Sequence, residues 1–220
     1  MPPPAIRALP NAITLFRLVA AAAFFLIVAV ALSRLEDPNR QLWGNIAFAI
    51  FIVAALSDLL DGWLARRWHA VSVFGRIMDP FCDKVLVLGA FVLLAGPSFA
   101  RVVDDGHGLI PRSDSGVEPW MVVVILAREL LVTSLRGVLE SKGVDFSADR
   151  AGKWKMLLQS ICVPTCLFVA CNLFALESTG WVVFRDIVVW LTVGVTVWSV
   201  VPYVVRARVL LQQAERDATR

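Results

Sequence analysis

Across 220 residues the chain is 58% hydrophobic and only 18% charged, with a mean hydropathy of +0.73, against a charged share of roughly 25% in an ordinary soluble domain. That balance argues against a water-soluble globule, and eight Trp and 13 Phe against one Tyr suit a surface that faces lipid. A net charge of +3, with 21 basic residues offset by 18 acidic ones and no long basic run, argues against a nucleic-acid binder. At this length one domain over residues 1–220 is expected.

In chain order, the proline-rich start MPPPAIRALP carries one charge and is followed by an apolar stretch too long for a signal-peptide core, which reads as a retained span. At about 20 apolar residues per crossing, the sequence predicts six transmembrane helices over 12–33, 44–65, 76–98, 119–139, 155–175 and 183–205. Lipid offers backbone groups no partners, so each span must be helical, and the expected fold is all-α and polytopic. The connection at Ser33 to Leu42 is polar, that at Arg66 to Phe74 is very short, and Pro97 to Pro119, with Asp104, Asp105, Gly106 and Gly108, reads as a solvated loop. Cys82, Cys162, Cys166 and Cys171 sit in apolar stretches with no CxxC pair, and with only His69 and His107 beside them they read as small buried hydrophobes.

Basic residues set the orientation. One side collects Arg7, Arg66, Arg67, Arg76, Arg136, Lys142, Arg150, Lys153, Lys155, Arg206, Arg208, Arg216 and Arg220, whereas the other has Arg34, Arg40, Arg101, Arg112 and Arg185. Both termini are therefore expected in the cytoplasm. Arg17, Lys84 and Arg128 fall inside predicted spans near their cytoplasmic ends.

Ionisable residues within spans are costly and mark function by default. Asp58, Asp61 and Ala65 follow i, i+3, i+7 spacing at the end of the second span, and Gly75, Asp79 and Asp83 follow i, i+4, i+8 at the start of the third. A short turn brings those faces together. Four converging carboxylates repel one another unless a cation lies between them, and an all-oxygen donor set favours Mg²⁺ or Mn²⁺ over zinc. Four suffice for two ions, an arrangement suited to displacement at phosphorus. Gly62 and Gly75 leave room beside the site for a bulky ligand. The plainer alternative is helix-end ion pairing with Arg66, Arg67, Arg76 and Lys84.

The segment SDLLDGWLARRWHAVSVFGRIMDPFCD holds Asp58, Asp61, Gly62, Ala65, Arg66, Gly75, Asp79 and Asp83 in the order D-x2-D-G-x2-A-R-x8-G-x3-D-x3-D. Eight fixed identities recur by chance on the order of 10⁻¹⁰ per start position. The pattern, over residues 58–83, resembles the signature of the CDP-alcohol phosphatidyltransferases. The resemblance implies a six-helix membrane enzyme that moves a phosphatidyl group from a CDP-linked lipid to an alcohol and releases CMP. It further implies that Asp58, Asp61, Asp79 and Asp83 hold two Mg²⁺ or Mn²⁺ ions and that Asp83 is the catalytic general base. Asp58, Gly62, Ala65, Arg66 and Gly75 would lie along the CDP moiety of CDP-diacylglycerol, and a homodimer in the bacterial inner membrane, its site facing the cytoplasm, is implied as well.

Arg128, Arg136, Lys142, Lys153 and Lys155 gather on the side of the carboxylates, which suggests an anionic acceptor such as a phosphate, or the ordinary positive-inside bias. The segments LPNAITLFRL, ILARELLVTSLRG and AGKWKM look like the bacterial phosphatidylglycerophosphate synthase branch of the family, which uses glycerol 3-phosphate. That likeness marks Thr14, Arg17, Arg128, Arg136, Lys153 and Lys155 as acceptor-site candidates. Met156 departs from the branch, which has Thr there. Glu129 is read as the counter-charge of Arg128 or of a residue on another helix. Two alternatives stand: the same chemistry on inositol phosphate, serine or phosphatidylglycerol, and an ion or proton transporter with a carboxylate relay.

Overall fold

Each apolar run becomes a helix. The structure, a computed structural model, describes residues 4–33, 37–68, 73–104, 108–141, 150–205 and 207–209. Within them lie six long helices: α1 (Pro4–Leu26), α2 (Arg40–Trp68), α3 (Val73–Leu94), α4 (Pro119–Ser141), α5 (Arg150–Cys171) and α7 (Thr179–Trp198), with the single-turn α6 (Leu173–Leu176) between the last two. His69 and His107 lie outside the described residues. α1 closes in a π turn over Ile27–Ala31, where the Leu32 N–H donates to the Ile27 carbonyl at 3.1 Å.

The fifth predicted span ends early at Asn172, whose extended backbone separates α5 from α6. Its amide then ties helix ends together: Gln41 Nε2 donates to Asn172 Oδ1 at 2.9 Å, and Asn172 Nδ2 donates to Asn45 Oδ1 at 3.1 Å. The sixth is interrupted at Ser199, and helix resumes over 200–205. Pro202 accounts for the break, since it has no N–H to give the carbonyl at position 198 and its ring crowds that carbonyl.

Among the described residues, four stretches are both long and apolar enough to cross a membrane: Ala12–Ala31, Arg40–Ser57, Gly152–Cys171 and Thr179–Val209. α3 has 22 residues and α4 has 23, about 33 Å of helix each, so charge rather than length sets them apart. Asp79, Asp83 and Lys84 load the first half of α3, as Arg128, Glu129 and Arg136 load α4.

The helices touch in a closed ring, α1 to α2 to α5 to α7 to α4 to α3 and back to α1, with α3 also reaching α5 across the middle. Phe24, Val28 and Leu32 supply one face to the interior, met by Phe51, Phe91, Leu94, Ile125 and Leu167, all at most 1% exposed. The four cysteines are buried thiols in this packing, as their apolar settings predict. Outward faces are apolar too, with Leu26, Val123, Trp190 and Trp198 exposed, as expected of helices surrounded by lipid.

One expectation is corrected. The third connection is not all loop: β1 (Ala100–Asp104) pairs antiparallel with β2 (Leu109–Ser113), so the fold is not purely α. Val102, Val103, Leu109 and Ile110 favour strand, and the Asp105-Gly106 pair in the sequence is a hairpin signal. The Asp114 N–H closes the base on the Phe99 carbonyl at 2.8 Å, and Arg101 pairs with the Asp114 carboxylate at 3.0 Å. Arg185 of α7 locks the hairpin down: its Nη1 donates to the Asp114 carbonyl at 2.8 Å, while Nε and Nη2 donate to Asp186 Oδ1 at 2.9 and 2.7 Å.

Gly116 makes that approach possible. Its φ of +72° is left-handed, and a Cβ there would come within 2.6 Å of Arg185 Nε. Gly116→Ala should therefore cost about 1–3 kcal/mol of stability. Gly137→Ala, at a helical position with nothing within 4 Å, should be neutral or stabilising. Thermal unfolding of the two variants in detergent checks both, and equal midpoints would contradict the Gly116 account.

Candidate active site

The eight signature residues fall on two adjoining helices. Asp58, Asp61, Gly62, Ala65 and Arg66 belong to the last turns of α2, and Gly75, Asp79 and Asp83 to α3, with only residues 69–72 between the helices. Their backbones are helical, so the i, i+3, i+7 and i, i+4, i+8 spacings hold as face relationships. Their side chains lie outside the described ones. The donor chemistry fits a hard divalent cation: four carboxylates, with no thiol or imidazole among the eight positions.

Four of the six acceptor candidates line one cavity of about 390 Å³, walled by α3, α4, α5 and the segment after α7. Arg128 and Arg136 enter from α4, and Lys153 and Lys155 from the start of α5. Lys84 of α3 joins them and donates to Thr133 Oγ1 at 2.6 Å. Arg17 of α1 is 1% exposed and lines a neighbouring cavity of about 320 Å³, which shares Lys153, Val87 and Met156 with the first. Thr14, one turn before Arg17, is equally buried and lines neither.

Both readings of Glu129 hold at once. Its Oε1 accepts from Arg128 Nη1 at 2.8 Å and from Lys155 Nζ across on α5. All three residues are between 7% and 8% exposed, so one carboxylate serves two buried cations. Arg128 has two further contacts: Nε donates to Ser199 Oγ at 2.9 Å, and the guanidinium stands over the Tyr203 ring, 5.4 Å from its centroid. The break in the last helix thus turns Ser199 and Tyr203 toward α4. Gly152 is required beside them, because a Cβ there would lie 2.9 Å from the Tyr203 hydroxyl.

Two donors on this wall make no hydrogen bond within the described residues, Arg136 Nε and Gln159 Nε2. Leaving a buried donor unmet costs about 1–3 kcal/mol, so both are better explained by something that occupies the cavity. Lys84, Thr133, Gln159 and Tyr203 also line this cavity and Ser199 bonds Arg128, and the sequence alone assigned none of them there. Lys84 carried a signal as a charge inside a span. The neutral ones carried none until burial was known.

Removing the shared carboxylate exposes the balance. Glu129→Gln should destabilise the protein by about 3–5 kcal/mol, since two buried cations lose a shared carboxylate partner. Inorganic phosphate at millimolar concentration should then raise the unfolding midpoint of the variant more than that of the wild type. A variant as stable as the wild type would contradict this arrangement.

Comparison with known proteins bears on the same residues. The family model of CDP-alcohol phosphatidyltransferases matches residues 7–198. The chain is similar to the CDP-diacylglycerol–glycerol-3-phosphate 3-phosphatidyltransferase of Bacillus subtilis strain 168, at 35% identity over 87% of this chain and 90% of the relative. Proteins of the same name match from Cereibacter sphaeroides, at 33% identity over 77% of this chain and 67% of the relative, and from Escherichia coli strain K12, at 30% over 91% and 94%. Such enzymes generally depend on a divalent cation. With the signature on α2 and α3 beside a cation-lined cavity, and a match that spans nearly all the helices, the chain belongs to the CDP-alcohol phosphatidyltransferase family.

Proposed function

We propose that this membrane protein transfers a phosphatidyl group from CDP-diacylglycerol to glycerol 3-phosphate, giving phosphatidylglycerophosphate and CMP. The observation that carries the choice of acceptor is the cavity lined by Lys84, Arg128, Arg136, Lys153 and Lys155, with Glu129 the carboxylate beside them among the described residues. A cavity lined by several cations favours an anion, and a phosphate offers the oxygens that guanidinium and ammonium groups bind best. The names of the relatives support the same reaction.

In this reading the acceptor's phosphate is held by Arg136, Lys153 and Lys155, with Arg128 fixed behind them by Glu129, Ser199 and Tyr203. Arg17 stands at the neighbouring cavity, on the side that adjoins α1. Asp58, Gly62, Ala65, Arg66 and Gly75 lie along the nucleotide, and the small residues let it approach the helix backbone. Asp58, Asp61, Asp79 and Asp83 would hold two Mg²⁺ or Mn²⁺ ions, whose charge when bound offsets that of the diphosphate and makes CMP a better leaving group. Asp83 takes the proton from the acceptor hydroxyl, whose oxygen bonds to the phosphorus carrying the diacylglycerol as the bond from that phosphorus to the CMP oxygen breaks. In this reading the chain crosses the inner membrane six times with both termini in the cytoplasm, and the chemistry lies at the cytoplasmic face, where a water-soluble nucleotide can leave and the lipid stays.

CMP release by the purified protein in detergent, with CDP-diacylglycerol and Mg²⁺ or Mn²⁺ fixed and the acceptor varied, tests the proposal. Turnover is expected with glycerol 3-phosphate. Turnover only with serine, inositol phosphate or phosphatidylglycerol would overturn the acceptor assignment. Asp79→Asn and Asp83→Asn should each abolish release while leaving the unfolding midpoint within a few degrees of wild type, and a near-normal rate in either would overturn the aspartate chemistry. Arg136→Ala should raise KM for glycerol 3-phosphate by about 10- to 100-fold, the range of a hydrogen bond to a charged group. KM for CDP-diacylglycerol should be unchanged.

A further inference from the structure

Gln159 lies one turn beyond Lys155 on α5, so the two side chains share a face. It lines the same cavity as Arg128, Arg136 and Lys84, and it is 2% exposed with Nε2 buried and without a hydrogen bond in the described residues. The cations around it can only donate, and Glu129 is taken up by Arg128 and Lys155. A primary amide does both, donating through nitrogen and accepting through oxygen, which makes it the complement of a hydroxyl group. A site lined by cations alone would hold any small phosphate. A neutral amide set among them adds a demand that phosphate does not meet.

We infer that Gln159 is a specificity-determining residue that reads the non-reacting hydroxyl of a phosphorylated polyol, while the surrounding cations take its phosphate. The inference rests on the acceptor proposed above and adds what selects it. The carbon skeleton is then not passive: the middle hydroxyl of glycerol 3-phosphate supplies the partner that the buried amide lacks. A site built to bond a hydroxyl discriminates strongly against the analogue without one, because the protein group is left unpaired in the wrong complex.

The test compares CMP release with glycerol 3-phosphate and with 3-hydroxypropyl phosphate, the same compound without its middle hydroxyl, for the wild type, Gln159→Met and Gln159→Leu. The wild type should favour glycerol 3-phosphate by at least about tenfold in kcat/KM. Both variants should bring the ratio to within about threefold, by raising KM for glycerol 3-phosphate and leaving that for the deoxy analogue unchanged. Thermal unfolding without substrates gives a readout independent of turnover. Replacing an amide whose buried Nε2 has no hydrogen bond among the described residues by an apolar side chain of similar size should leave the midpoint of Gln159→Met equal to or above that of wild type. An unchanged acceptor ratio would overturn the inference while leaving the proposed reaction standing. A lowered midpoint, or a variant that fails to fold, would overturn it by showing that the amide is structural. Wild-type protein that releases no CMP with either phosphorylated compound would overturn the acceptor reading, and this inference with it.

Discussion

One carboxylate between two cations governs the candidate site. Glu129 binds Arg128 on its own helix and Lys155 on α5, and burial in an apolar bundle makes that sharing consequential. Desolvating three charges is expensive, so the pairing must be close to hold. The cavity beside it adds Lys84, Arg136 and Lys153, and such a gathering of cations attracts anions. Stability and ligand preference therefore stem from the same cluster. The carboxylate ties α4 to α5.

The opposite end of the bundle shows the same residue type put to another use. Arg185 has each of its three nitrogens matched by an acceptor on Asp186 or Asp114, and Arg40 spans from the Leu32 carbonyl to the Ser98 carbonyl while lying over Phe99. These arginines fasten the ends of α1, α3 and the hairpin and have little left to offer a ligand. Arg136 retains a buried Nε without a hydrogen bond in the described residues. Counting donors against acceptors separates a structural arginine from a binding one, where charge alone cannot.

Much of the bundle could be read from the sequence, because period and length carry a helix through any background. Each of the six predicted spans overlaps a long helix, four of the stretches being apolar enough to cross a membrane among the described residues, and the buried arginine and glutamate of α4 stood out as charges where lipid should be. The hairpin escaped for physical reasons: its strands are short, Pro111 sits inside one of them, and proline in a strand reads as loop. The ends at Asn172 and Ser199 escaped because a single residue redirects the chain there. Gln159 and Tyr203 are neutral residues in an apolar helical stretch. Nothing in sequence periodicity distinguishes an amide with a buried, unmet nitrogen from one that solvent satisfies. The signature aspartates present the reverse case, legible by spacing and resemblance, with their side chains outside the described ones.

Lys153 belongs to the walls of two cavities at once, the one lined by Arg128 and Arg136 and the one lined by Arg17, and Val87 and Met156 are shared as well. Two compartments that share a side chain are thermodynamically linked when the occupants of both engage it. A lysine side chain gives up about 1.5–2 kcal/mol of rotamer entropy when it is fixed, so whichever molecule arrives first and pins Lys153 spares the second that cost. By reciprocity the advantage is equal in either order of arrival, and its ceiling is roughly ten- to thirtyfold in affinity. For an enzyme that must bring a lipid nucleotide and a small soluble anion together, a shared flexible wall is a means of favouring the doubly occupied state over either singly occupied one.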